Sequence, residues 1–274
     1  MIETVVGPYT LEIATGFGPR ITGLRRDEGP QILARLGPEA VIDHPGGTYR
    51  FHGGHRLWAA PETPEVTYAN DDHGCHVETH AGSVTIAADF DEAGYRKQIE
   101  VSADGDWLRV EHTLARARGV RGTAAAWAIT QLPLGGLALL PLIGPQTGAL
   151  PNRRLVIWPY TSLDDPRIRW NSLGVEISGS GQEPLKLGAG PSRPDLGYLR
   201  EGLLFTKSFV SSSNGDLPDL GAGSQVYVGE GFCELETIGG LSDSEVATVT
   251  EGWRVDLCSN VEMAWNLLTS ESAS

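Results

Sequence analysis

The sequence predicts an all-β protein built as one large antiparallel sandwich. Two observations carry that reading. Apolar and polar residues alternate over short stretches along most of the chain, while helical periodicity is nearly absent. Turn-forming clusters such as "RRDEGP", "SADGDW" and "SSSNGDLPDLGAGS" separate those stretches. The 35 glycines and 17 prolines are scattered rather than blocked, so they read as turns between many short elements.

The elements follow in order. In "YTLEIA" the apolar positions Tyr9, Leu11 and Ile13 share a face, and in "SVTIAADF" the same holds for Val84, Ile86, Ala88 and Phe90. In "WLRVEHTL" the set is Leu108, Val110, His112 and Leu114. A histidine among such neighbours reads as a satisfied core residue rather than a catalyst. "RRLVIWPY", "SQVYVGEGFCELETIG" and "EGWRVDLCSNVEMAWNL" continue the strand pattern. "DDPRIRWNSLG" and "GSGQEPLKLGAGPSRPD" read as long loops over the face of the sandwich. No shift of composition divides the chain and no fixed-period repeat appears, so residues 1–274 read as a single domain.

Composition excludes several partners. A net charge of −14, from 21 basic and 35 acidic residues, repels nucleic acid and anionic membranes, and "RARGVR" is too short to offset it. The most apolar run, "LGGLALLPLIG", falls far short of the ~20 residues that a membrane helix needs. The start "MIETVVGPYTLEIATG" has neither the basic segment nor the long apolar segment of a signal peptide. Cys75, Cys233 and Cys258 are odd in number and leave at least one free thiol, which suits a reducing compartment. A cytoplasmic location is expected.

Three stretches are candidates for chemistry. In "FCELETIGG", alternation puts Phe232, Glu234 and Glu236 on one face and Cys233, Leu235 and Thr237 on the other. The two carboxylates are either a solvent-facing edge or a general base with a second acid that tunes its pKa. In "TYRFHGGHRLWAAPE", His52, His55, Arg56 and Trp58 surround a double glycine. They are either a tight turn between strands or one wall of a cleft, with a forked donor and a flat apolar face that suit a sugar. In "NDDHGCHVETH", His76, Glu78 and His80 share a face, yet the two histidines stand ~13 Å apart at ~3.3 Å per residue. One zinc with bonds of ~2 Å is not easily held by both ends of that span, so a polar hairpin without metal is the expected reading, with a pair such as His76 and Glu78 left open as ligands. Seven tryptophans, among them Trp58, Trp127, Trp158 and Trp170, include several near strand ends beside charged or amide residues, the mixture of which sugar sites are made. No dinucleotide loop, phosphate-cradling loop or nucleophile elbow is present.

These residues resemble the galactose mutarotase-like, or aldose 1-epimerase-like, superfamily. "FHGGHRLW" is similar to its early His-Gly-Gly segment followed by tryptophan. "LETIGGLSDSE" is similar to the late Leu-Glu-Thr segment that holds its catalytic glutamate. The resemblance implies a two-sheet supersandwich with a sugar in a groove across one sheet and no cofactor. It places His52 at the first family histidine and Glu236 at the glutamate that deprotonates the anomeric hydroxyl. It also exposes a departure. The family's second histidine, which protonates the ring oxygen, corresponds to Trp127 in "WAITQL", and Gln131 stands at the family's asparagine. As an indole gives up no proton at neutral pH, His55 or His52 is the expected acid.

The expected catalytic residues are therefore Glu236, His55 and His52. Arg56, Trp58, Glu234, Trp127 and Trp158 are the expected contacts to a small carbohydrate. Arg56 and the pair Arg153-Arg154 leave open an anionic sugar. Three functions stay in view: epimerase-like anomer exchange, a non-catalytic sugar-binding or sensing module, and a purely structural sandwich.

Overall fold

The computed structural model describes residues 1–142, 148, 152–190, 195–210 and 216–270. Parts of the turn cluster at 211–224, of the long segment 179–195 and of the apolar run 134–144 lie outside them. Strands are numbered along the chain. The first sheet has nine, in the order β1 (Ile2–Val6), β2 (Tyr9–Ile13), β3 (Arg20–Arg26), β6 (His55–Ala60), β11 (Ala125–Pro133), β20 (Phe232–Ile238), β19 (Ser224–Val228), β16 (Leu185–Ala189) and β13 (Leu155–Ile157). The second has ten, in the order β14 (Ile168–Trp170), β15 (Gly174–Ser178), β12 (Leu137–Pro141), β17 (Leu196–Arg200), β18 (Leu203–Val210), β21 (Val246–Leu257), β10 (Trp107–Arg116), β9 (Tyr95–Asp104), β8 (Ser83–Ala87) and β7 (His76–His80). A separate hairpin joins β4 (Val41–His44) and β5 (Gly47–Arg50). The pairings are antiparallel, as expected of an alternating sequence.

The two sheets pack face to face over the residues that alternation points inward. Tyr9, Leu11, Ile13, Val84, Ile86, Leu108, Val110, Leu235 and Trp253 are fully buried in one cluster. His112 is buried among them, as expected. Ala88 and Phe90 are different. β8 ends at Ala87, and Phe90 is half exposed beyond it, with the Arg96 guanidinium over its ring.

Three segments depart from the sequence reading. The loop expected at 164–174 carries β14, which forms a hairpin with β15. The loop expected at 179–195 carries β16, a fully buried strand paired on both sides. Its glycines and nearby prolines imitate loop composition, but Leu185, Leu187 and Ala189 alternate and fill the core. The last stretch read as strand leaves the sheet after Leu257 and forms a helix, Val261–Thr269. Asn260 caps it, its side-chain oxygen accepting from the Met263 amide at 2.9 Å. Ala264, Trp265 and Leu268 recur at helical spacing and bury against Leu139 and Leu204 of the second sheet. Asn260→Ala should therefore destabilise the protein by about 1 kcal/mol in urea unfolding; an unchanged midpoint would mean that the cap contributes nothing. Among the described residues no helix is long and apolar enough to cross a membrane.

Candidate functional site

Five neighbouring strands of the first sheet turn their second set of side chains away from the core. Arg56 and Trp58 come from β6, Trp127 and Gln131 from β11, and Glu234 and Glu236 from β20. Lys186 comes from β16 and Tyr227 from β19. Register then assembles them. Trp58 lies opposite Trp127, Glu236 opposite Ile129 and Gln225, and Gln131 opposite Glu234. Arg56, Trp58, Trp127, Glu234, Glu236, Lys186 and Tyr227 line a cavity of about 700 Å³, the size of a small-molecule site, and form its floor; Gln131 is buried and does not line it. Its walls include Val41 and Ile42 of the hairpin, Glu62, Tyr68, Tyr160 and Phe232.

Glu236 is the centre of the floor and is almost fully buried. Its Oε2 accepts from the Trp127 indole at 2.9 Å and from the Lys186 ammonium at 2.8 Å. Its Oε1 has no hydrogen-bond partner among the described residues. Burial raises its pKa most, the Lys186 charge opposes that, and the nearby Glu234 adds to it; the net result is about 7. Lys186 is itself held between two rings, with its nitrogen 4.8 Å from the centroids of Trp127 and Trp158. Trp158 thus acts on the site through Lys186 and does not line the cavity.

Glu234 organises the other half of the floor. Its Oε1 accepts from Arg56 at 3.0 Å and from the Gln131 amide at 2.9 Å. The Arg56 guanidinium lies 3.9 Å from the Trp58 centroid and leaves Nε and one terminal nitrogen without partners. The floor therefore holds unpartnered donor nitrogens on the Arg56 side and an unpartnered carboxylate oxygen on the Glu236 side, all of them buried, with the indoles of Trp58 and Trp127 between. Burial and the surrounding carboxylates push the Tyr227 phenol up to about 12 and raise that of Tyr160 as well.

The two expected histidine acids lie elsewhere. His55 precedes Arg56, so alternation turns it to the opposite face of β6, between the sheets. There it is fully buried, edge-on to Trp253, with Nδ1 2.9 Å from the Thr130 hydroxyl and Nε2 2.7 Å from Nε2 of His112. His112 Nδ1 donates to the Val249 carbonyl at 3.0 Å, which leaves its Nε2 to accept from His55. Burial, then the neighbouring cations, hold the pKa of His55 well below the ordinary histidine value. His55 has no route to a ligand in the cavity. His52 has a left-handed backbone (φ 58°), stacks on Phe17 at 3.9 Å and places Nε2 2.5 Å from Asp72. Its neighbour Phe51, not His52, lines the cavity.

The double glycine has a backbone reason. A Cβ on Gly53 would stand 2.3 Å from the Ala34 carbonyl oxygen, and one on Gly54 would stand 2.2 Å from that of Ile21. The turn lets the chain cross those carbonyls before β6 begins. Arg153 and Arg154 donate to the carbonyls of Ser172 and Leu220 and do not line the cavity. His76, Glu78 and His80 are exposed on β7. Two other groupings bring three potential ligands together, His55–His112–Glu251 and His52–Asp71–Asp72. In the first, the Lys207 ammonium is 2.9 Å from Glu251; in the second, Asp71 is tied to Arg20 at 2.8 Å and to Tyr49. Each grouping thus already has a protein cation against its carboxylate.

Sequence reasoning missed Lys186, Tyr160 and Tyr227. For Lys186 a signal existed, as it stands between Leu185 and Leu187 in "PLKLGA" just as Glu236 stands between Leu235 and Thr237. No family model and no curated protein matches the sequence. Solved structures do match. A galactose mutarotase-like protein from Lactobacillus casei is 13% identical, with 93% of this chain and 100% of that one covered and a TM-score of 0.54. A putative aldose 1-epimerase from Escherichia coli is 11% identical, with 93% and 98% covered and a TM-score of 0.51. A TPR-domain containing protein from Parabacteroides distasonis is 9% identical, with 95% of this chain but 47% of that one covered and a TM-score of 0.61. At such identities the likeness is one of fold alone: the chain has the architecture of a galactose mutarotase-like sandwich.

Proposed function

We propose that the protein binds a small sugar in this cavity and interconverts its anomers, with Glu236 as the proton acceptor. One observation carries the reading. Glu236 is a buried carboxylate with one oxygen fixed by two donors, the other free, and a pKa raised to about 7. A base of that kind takes the anomeric proton while the ring oxygen is protonated. The ring carbon–oxygen bond breaks to give the open aldehyde, the aldehyde carbon rotates, and the ring closes as the other anomer. Arg56 would donate to a hydroxyl and Trp58 and Trp127 would pack against the ring. With His55 and His52 away from the cavity, the described lining groups with a proton to give include the Lys186 ammonium and the phenols of Tyr68, Tyr160 and Tyr227.

The test is magnetisation exchange between the anomers of free aldohexoses, with and without the protein. Added protein should speed exchange saturably. Because the carboxyl must be ionised to accept a proton, and its pKa is raised, the catalysed rate should climb as pH rises through about 7. A rate already level across that range would remove Glu236 from the role. The second reading, sugar binding without turnover, is favoured by the lack of any histidine among the described lining residues. Saturable binding with no added exchange would establish it.

A further inference from the structure

Resting on the sugar-site reading, the charge layout of the cavity narrows the ligand. The two cations on its floor are each matched, Arg56 by Glu234 and Lys186 by Glu236. The mouth carries Glu39, Glu62 and Glu230, all exposed, and among the described residues none of the three is paired with a cation. Glu62 accepts a hydrogen bond from the Tyr68 hydroxyl. The two layers therefore differ: a balanced floor with free donors and one free carboxylate oxygen, and an uncompensated acidic rim. The phenols agree with this. Tyr68, Tyr160 and Tyr227 are all raised, by burial first; Glu62 is the next cause for Tyr68, while Glu236 of the floor precedes Glu62 for Tyr160, and Glu234 and Glu236 precede it for Tyr227. The half-exposed Tyr160 also lines the cavity with Glu62, and an aromatic ring near a carboxylate suits an ammonium group.

We infer that the cavity takes a sugar bearing a protonated amine, with the ring on the floor and the ammonium at the rim of Glu39, Glu62 and Glu230, and that it rejects phosphorylated sugars. A sugar phosphate would bring its negative charge against three carboxylates, and neither floor cation is free to compensate it.

The experiment is calorimetric titration of the intact chain with glucose, glucosamine, 6-amino-6-deoxyglucose, N-acetylglucosamine and glucose 6-phosphate, at one pH above the Glu236 value of about 7 and below the pKa of the sugar amines. At low salt at least one amino sugar should bind about 5-fold more tightly than glucose, and the phosphate about 5-fold or more weakly, from three partly screened charges. Acetylation should erase the advantage when glucosamine is the favoured sugar, and added salt should shrink it. In the Glu39→Gln/Glu62→Gln/Glu230→Gln variant the ratio of amino-sugar to glucose affinity should fall toward one. Equal affinities for glucose and both amino sugars, or a preference for the phosphate, would overturn the inference and leave the sugar site standing. Binding of none of the five would overturn both.

Discussion

Glu236→Gln should lower anomer exchange by about 10²- to 10⁴-fold, the contribution of one positioned general base, and leave sugar affinity within about 3-fold of wild type. The substitution keeps shape. The amide oxygen takes the place of Oε2, where it still accepts from the Trp127 indole and Lys186. The amide nitrogen takes the place of Oε1, the atom that faces no protein partner. Only the ability to take a proton is lost. Single-turnover exchange and a binding titration on the same preparation separate the two quantities. If affinity and exchange fall together, Glu236 is a binding residue and some other group moves the proton. If neither falls, the site lies elsewhere.

That prediction depends on which side of the sheet each residue faces, and facing was the part of the site most legible in the sequence. Alternation in "FCELETIGG" placed Glu234 and Glu236 together and Cys233 and Leu235 in the core, as found. The same rule, applied to "HRLWAA", separates His55 from Arg56 and Trp58. Treating the stretch as a loop hid that, because the double glycine invites a loop reading while β6 starts at the next residue. Local composition misled in the same way at Lys186, where glycines and prolines around a buried strand imitate a surface excursion. The C-terminal helix was hidden for another reason. A 12-residue strand runs almost directly into it, and the alternation of "WRVDL" masks the change to helical spacing at Val261. No alternation rule reports pairing across the cavity. The contacts of Glu236 with Trp127 and Lys186 join residues 109 and 50 positions apart, and only the order of the strands brings them together.

Behind that floor another buried charge pair holds the two sheets in place, and Lys207→Met should destabilise the protein by about 3–5 kcal/mol. Lys207 belongs to β18 of the second sheet and is fully buried. Its ammonium donates to the carbonyls of Ala128 and Leu235, both at 3.0 Å, and reaches Thr130 Oγ1 at 3.1 Å and Glu251 at 2.9 Å. Ala128 follows Trp127 and Leu235 precedes Glu236, so one side chain ties down both strands of the candidate site. Glu251 also accepts from the Trp253 indole at 2.8 Å and from the Thr237 hydroxyl. Methionine keeps most of the volume but removes the charge, which strands the Glu251 carboxylate with two neutral donors and takes the ammonium from two carbonyls. Burial already works against the cation, lowering the pKa of Lys207, while Glu251 pulls the other way. The double variant Lys207→Met/Glu251→Leu removes both charges and should recover most of the loss, since the cost of the single variant is that of an unmatched buried ion. Urea midpoints of the two variants decide it. A double variant no more stable than Lys207→Met would locate the cost in the freed carbonyls instead of the orphaned carboxylate.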